Sequence, residues 1–358
     1  MNRFHLIAVA ALCAADAGAQ NAPQSLSLGD AARMAARNSA PAVASRYRAE
    51  QARGRAMEAR SALLPNVFAS FGDGQRTFNT ASFGIPFPGF DPHGSIIGPV
   101  RTADIRGHVV ANLLDPAAYG RLLVARSSAN GADIEATQAG QVAAASAASL
   151  YVRTMRAEAQ VRARSADSSL AKDLLDIAQR QVDAGVGVAL DVTRARAQMA
   201  GIRSQLIAAR SERDRARLDL ARALGMEAGA RITLTDTLGT TSSSDATPSE
   251  SEAVSRAQQQ RADLSAANAA METAKRGVWA VRAEHLPTIG VFGDDGKTSN
   301  FYTHLLTTYT YGVQITVPVF EGFRIAAHTQ QANAMLKEAQ ARQHDVELQV
   351  STDVRSAL

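Results

Sequence analysis

A stretch of this chain occurs twice. Offsetting the sequence by 222 positions lays Arg60-Ser-Ala-Leu-Leu-Pro65-Asn-Val over Arg282-Ala-Glu-His-Leu-Pro287-Thr-Ile, and the agreement extends backwards through Ala40/Ala262, Ala44/Ala266, Glu50/Glu272 and Ala52/Ala274. Each copy reads as a helix, a Leu-Pro breaker, an alternating strand, an irregular loop, a second alternating strand and a long helix. Any fold must therefore be assembled from two such units. The first spans residues 20–238 and the second 251–358, and a Gly-Thr-Ser-rich linker over 239–250 joins them.

The helices set the scale. Ser27, with Asp30 three residues on, makes a capping box, and the pattern predicts one helix from there to the Leu64-Pro65 break, roughly 50 Å at 1.5 Å per residue. Asp115-Pro116 opens a second helix with no interior proline before Gly185, roughly 100 Å long. A third runs from about Leu190 to Leu224, again roughly 50 Å. Two half-length helices end to end match one full-length helix, so long antiparallel rods are expected. The third carries a heptad seam through Ala195, Met199, Ile202, Leu206, Ala209, Arg213, Ala216, Leu220 and Ala223. Around Leu170, Leu174 and Ile177 on the second helix the seam is shorter and Ala is expected to fill much of the contact, which allows close helix approach. With only 5% aromatic residues, a bulky globular core is not expected.

The strands have two unlike faces. From Tyr309 to Val319 the odd positions Tyr309, Tyr311, Val313, Ile315, Val317 and Val319 are apolar, while Thr308, Thr310, Gly312, Gln314 and Thr316 fill the even ones. The first copy alternates likewise, with Ala103, Ile105, Val109, Ala111 and Leu113 against Thr102, Asp104, Arg106, His108 and Asn112. Shorter strands are expected after Pro65 and Pro287, through Val67, Ala69 and Phe71 and through Ile289, Val291 and Gly293. About 11 residues suits a tilted membrane-spanning strand, and a tyrosine pair at one end suits an interfacial girdle. On strand pattern alone a small soluble sheet is the commoner outcome. The helix lengths reverse that preference. Four strands fall short of the roughly eight that a closed barrel requires, so several copies must combine.

The amino terminus reads as a secretory signal over residues 1–19, with Arg3, an apolar run from Phe4 to Ala15 and a small-residue Ala17-Gly-Ala19 site. Cys13, the single cysteine, would leave with it. The net charge of +4 is scattered along helices, which fits a solvated surface and not nucleic-acid binding. Paired metal ligands, nucleophile elbows and phosphate-cradling glycine runs are lacking in the sequence, so neither an enzyme nor a cofactor is expected. His344-Asp345 reads as a solvated pair. The Pro- and Gly-rich stretch Phe83–Gly94 reads as a surface loop.

With these features in order, residues 25 to 358 resemble the TolC-type outer-membrane efflux proteins. The resemblance lies in Leu26-Ser-Leu28-Gly-Asp30-Ala31, the breaks at Pro65 and Pro287, Arg261-Ala-Asp263-Leu264, and Val317-Pro318-Val-Phe320-Glu-Gly322-Phe-Arg324. It implies a mainly α fold with a small β part, in which long helical rods form staves of an α-barrel and four strands per chain join a trimeric β-barrel in the outer membrane. It further implies a homotrimer, contact with outer-membrane lipid, and a periplasmic adaptor and inner-membrane transporter as partners. The expected role is a passive exit duct for efflux or type I secretion. Gln181–Val192 resembles the periplasmic hairpin tip, where Gly185 and Gly187 free the turn, Val186, Val188 and Leu190 meet the adaptor, and Asp191 caps the returning helix or joins a charged constriction. Pro65, Pro287, Pro318 and Gly322 act as structural breakers. The last helix begins near Gly322 and stops at Leu358, about half the length of its counterpart, so a fragment truncated before a second tip is expected. A periplasmic adaptor or coiled-coil scaffold is the alternative.

Overall fold

The computed structural model describes residues 24–83, 94–237, 249–302 and 304–358. The signal segment with Cys13, residues 84–93 of the surface loop and residues 239–248 of the linker lie outside the described residues. The elements follow in the order β1 (Gln24–Leu26), α1 (Leu28–Asn38), α2 (Ala40–Ser61), β2 (Asn66–Asn79), β3 (Ile96–Leu114), α3 (Pro116–Asp183), α4 (Ala189–Ala223), β4 (Ile232–Leu234), α5 (Glu250–Gln260), α6 (Ala262–Arg282), β5 (Thr288–Ser299), β6 (Leu306–Thr316) and α7 (Arg324–Ala357). They group into two compact units, one of residues 1–48 and 133–252, the other of 49–132 and 253–358.

In the first unit, Ser27 opens α1 with the expected capping box. Its hydroxyl accepts from the Asp30 amide at 3.2 Å, and the Asp30 carboxylate accepts from the Ser27 amide at 3.4 Å. The Ser27 hydroxyl also donates to the Asp30 carboxylate at 2.7 Å, and that bond first, then Arg33 at 2.7 Å and the Ser27 amide, hold Asp30 below the usual carboxylate range. The single helix expected from Ser27 to Leu64 is instead two. The backbone turns extended at Ser39 (ψ 142°) because Pro41 has no amide to donate to the preceding turn. The Arg37 carbonyl that Pro41 cannot reach accepts from the Arg46 guanidinium.

The α3 segment of this unit pairs with α4 through the expected heptads. Val192, Met199, Leu206, Ala209, Ala216 and Leu220 are buried, and Ala195, Ile202, Arg213 and Ala223 are half-buried. Facing them, α3 offers Tyr151, Thr154, Ala157 and Ala171, with Val161, Leu175, Ala178 and Val182 half-buried. The expected contribution of Leu170, Leu174 and Ile177 is not found. All three are about half exposed, because the small residues Ala171 and Ala178 take the seam and turn the larger ones away.

The top of this hairpin is closed by a contact that periodicity did not show. The three-residue strands β1 and β4 pair in parallel, and Leu26, Ala31, Ala35, Ala147, Tyr151, Met155, Leu220 and Leu224 pack into one core. Tyr151, fully buried, donates its hydroxyl to the Leu26 carbonyl at 2.9 Å and accepts from the Asp236 amide at 3.4 Å. Burial raises its hydroxyl pKa above the ordinary tyrosine value.

In the second unit, α6 packs against α7 and the start of α3. The approach to α3 needs Gly120, since a Cβ there would stand 2.6 Å from the Ala280 Cα. Tyr119 meets Trp279 edge-on at 6.2 Å, and Thr273 donates to Ser127 at 2.9 Å. At the α5–α6 junction Arg261 reaches Asp263 at 2.6 Å and Asp353 of α7 at 2.8 Å. The four remaining strands form one sheet in the order β2-β3-β5-β6, every neighbouring pair antiparallel.

Two stability tests follow from these fastenings. Tyr151→Phe leaves the Leu26 carbonyl bonded to Thr235 but strips the Asp236 amide of its acceptor, and should cost about 1 kcal/mol in denaturant unfolding. Arg261 holds Asp263 and Asp353 below the usual carboxylate range, so both bind protons less readily folded than unfolded. Their contribution is present above about pH 4 and is lost as pH falls through the lowered folded values. The melting temperature should therefore drop as pH falls below about 4, and Arg261→Ala should flatten that drop. An unchanged pH slope in the variant would refute the assignment.

Candidate membrane face and hairpin tip

Antiparallel partners share a face, so the strand registers decide which side chains stand together. On one face of the sheet, Val67 pairs with Val109, Phe71 with Ile105, Ala111 with Val291, Val291 with Val313, and Ile289 with Ile315. Tyr309 and Tyr311 stack in parallel on this face with centroids 6.2 Å apart. The apolar surface is uncovered: Tyr311 is 80% exposed, and Val313 and Ile315 are each 65% exposed. Asp73, Arg101, Asp295 and Lys297 restore polarity on this face, toward the strand ends farthest from the helices. Arg101 spans Asp73 there at 2.7 Å and the Tyr302 hydroxyl at 2.6 Å.

The other face is mainly polar and internally bonded, with Phe68, Val110 and Phe292 set among its polar side chains. Arg106 ion-pairs with Asp104 at 3.0 Å and with Asp294, and donates to the Thr308 hydroxyl at 2.9 Å, so one guanidinium stitches β3, β5 and β6. His108 contacts Ser70 at 2.9 Å and stacks on Phe68 at 4.7 Å. The sequence showed the alternation of these positions. It did not show that Arg106 gathers them, because Asp294 and Thr308 lie 188 and 202 residues away.

All four helical connections leave the sheet from one end. Pro65 and Pro287 follow the last turns of α2 and α6 and precede β2 and β5 directly. The strand expected over Tyr309–Val319 runs instead over Leu306–Thr316. Pro318 has no amide for the ladder, and Val317 and Val319 lie beyond the strand, exposed. Gly322 and Phe323 follow with φ of 58° and 65°, and α7 begins at Arg324, two residues after Gly322. Arg324 then ties the junction to Glu284 at 2.9 Å.

At the far end of the hairpin, α3 closes through Gly185 at φ 75°. The Gln181 carbonyl accepts from the amides of Val186 at 3.0 Å and Gly187 at 2.9 Å. Gly187 is sterically required, since a Cβ there would stand 2.8 Å from the Val182 nitrogen. Val186 is 81% exposed, and Val188 and Leu190 are also exposed. The expected capping by Asp191 is not found. Val188 occupies the cap position without a side-chain bond, and Asp191 sits inside the first turn, 3.6 Å from Arg194, where its charge still favours the helix amino terminus.

Among the described residues, no cluster of three or more His, Cys, Asp or Glu side chains could hold a metal, and no helix is long and apolar enough to cross a membrane. The uncovered sheet face is the surface that remains to be explained.

A family model described as outer membrane efflux protein matches residues 119–226 and 253–358, together more than half of the chain. The alkaline protease secretion protein AprF of Pseudomonas aeruginosa is 25% identical over 195 residues, covering 53% of this chain and 40% of that relative. The chain thus spans less than half the length of the curated relative it matches. Among solved structures, the Campylobacter jejuni CmeC outer membrane channel aligns with a TM-score of 0.75 at 15% identity, over 90% of this chain and 68% of that one. The open state of the Neisseria gonorrhoeae MtrE outer membrane channel aligns with a TM-score of 0.66 at 19% identity, over 92% and 70%. The fold is therefore the mainly helical, stave-plus-strand architecture of these channels.

The tip geometry can be tested directly. Gly187→Ala should lower the melting temperature and loosen the turn, whereas Ala184→Gly should be nearly silent, since Ala184 closes no contact of that kind. Hydrogen exchange at the Val186 and Gly187 amides reads the difference.

Proposed function

Because the chain belongs to the outer membrane efflux protein family, we propose that it is one subunit of a homotrimeric outer-membrane channel, a passive exit duct for efflux or type I secretion. Cargo reaches such a duct from an inner-membrane transporter through a periplasmic adaptor. The observation that carries this reading is the four-stranded sheet with one bare apolar face, one polar face and open edges at β2 and β6. Lipid suits the first face and water the second. Four is even, so β6 of one copy meets β2 of the next in antiparallel sense, and three copies close a twelve-stranded barrel without breaking the alternation.

On this reading Tyr309, Tyr311, Val313 and Ile315 face lipid, with Val317 and Val319 just past the strand end. Gly185, Val186, Gly187, Val188 and Leu190 meet the adaptor's own hairpin, and Asp191 contributes charge at the constriction. Residues 1–19 serve as an export signal, and 20–238 and 251–358 are two copies of one structural unit separated by the linker 239–250.

The test is assembly in a bilayer. The full chain, refolded into lipid vesicles, should run as a heat-modifiable trimer and conduct ions in planar bilayers. Val313→Arg should destabilise insertion by about 2 to 4 kcal/mol, while Gln314→Arg, one residue away on the polar face, should insert normally. Equal insertion of both variants, or recovery of the wild-type chain as a water-soluble species, would overturn the proposal.

A further inference from the structure

Along two of its strands the apolar face of the sheet is too short for a bilayer. On β5 and β6 the rows from Ile289 and Ile315 to Asp295 and Tyr309 span roughly 20 Å of strand at about 3.4 Å per residue. At the tilt of barrel strands that is about 15 Å along the membrane normal, against an apolar band of about 25 Å. Asp295 and Lys297 bring charge to the far side of the face, so the missing ~10 Å has to come from the helical end.

That end offers side chains the chain leaves uncovered. In the link between β6 and α7, Val319 is 92% exposed, and Phe320 and Phe323, both exposed, meet edge-on at 5.5 Å. At the roots of the helices the two copies of the repeat carry one pattern. Met57, Arg60 and Leu64 in the first copy and Trp279, Arg282 and Leu286 in the second stand 222 positions apart, and all six are exposed. Met57 and Arg60, like Trp279 and Arg282, are three residues apart and share a helix face. Neither Arg60 nor Arg282 has an ion-pair partner among the described residues. The carboxylates of this end are engaged elsewhere: Glu284 and Glu321 hold Arg324, and Asp115 faces Arg121 at 3.8 Å. Glu58, two residues from Arg60, lies on the other side of α2.

On the channel reading, we infer that the lipid boundary lies below the strands, on this collar, and that Arg60 and Arg282 bind the phosphates of phospholipid headgroups in the periplasmic leaflet. A guanidinium takes a phosphate with two parallel hydrogen bonds, and each Arg stands four residues from an exposed leucine, where an apolar layer gives way to headgroups. Trp279, three residues from Arg282 and edge-on to Tyr119, is the kind of amphipathic ring that settles at that depth. A free phosphate ion would use the cations alone, whereas the apolar collar beside them favours a phosphate that carries acyl chains.

Trp279 is the single tryptophan, so its fluorescence reports one position. With the full chain in vesicles of phosphatidylglycerol and phosphatidylethanolamine, a spin label on the headgroup should quench it at least twice as strongly as bromine at the acyl-chain ends. In detergent, native mass spectrometry should show the trimer retaining phosphatidylglycerol over diacylglycerol, with no displacement by excess inorganic phosphate. Arg60→Glu with Arg282→Glu should cut that retention at least threefold. Arg126→Glu, farther along α3 from the sheet, should change it less than twofold. Circular dichroism of both variants verifies folding. Quenching of Trp279 by aqueous iodide alone, equal retention of diacylglycerol, displacement by inorganic phosphate, or retention that survives the double reversal would each overturn the collar. Conductance of the same proteins in planar bilayers reports separately on the channel reading.

Discussion

The sheet has nothing of its own to lie against. Its strands of 14, 19, 12 and 11 residues are longer than the soluble average, yet among the described residues neither face is covered by a helix, and β2 and β6 end the sheet on either side. Burying a large apolar side chain stabilises by about 1.5 to 3 kcal/mol, and residues such as Val67, Phe71, Tyr311, Val313 and Ile315, bare on this sheet, forgo that stabilisation. The faces divide the remedy between an apolar and an aqueous environment, and the edges call for more strands.

The helical rods carry bends kept in register. The first helical rod breaks at Ser39 and the second at Arg261, and these positions are separated by the same 222 residues that relate the two Leu-Pro breaks. The chemistry differs. Pro41 forces the first bend by removing an amide, while at the second Arg261 binds Asp263 two residues on and reaches across to Asp353. A bend preserved through two unrelated local causes is a bend that the architecture requires. Near the first sits the Tyr151 clasp, and both fasten a long helix to its neighbour without a bulky core.

Long periodic elements were legible in the sequence because their signal accumulates over many turns. The α4 seam, the Asp115-Pro116 start and the Ser27 capping box all read true. What stayed hidden has specific causes. Strands β1 and β4 have three residues each, too few to show alternation, and their partner Tyr151 lies mid-helix, over a hundred residues from Leu26. Pro41 was a visible warning of the Ser39 break. Around Leu170, Leu174 and Ile177 the expected alanine contact is found at Ala171, but the three larger residues stand outside it, because closely packed helices put the small side chain at the contact. Val317 and Val319 kept the alternation of β6 after Pro318 had ended its ladder.

The shifted ionisable groups outside the strands bear on what kind of molecule this is. Asp30 is lowered by its cap and Arg33, and Asp263 and Asp353 by Arg261. Arg153 is raised by Glu212, and Arg324 by Glu321 and Glu284. Each charged group is held in the state it already has at neutral pH, by a partner that caps a helix or joins two elements. Chemistry on a substrate asks for the reverse, a group moved toward neutrality so that it can exchange a proton at working pH. Tyr151 moves away from ionisation, which keeps its hydroxyl a permanent donor to Leu26. Charge in these helices fastens one element to the next, as Arg261 does between α6 and α7.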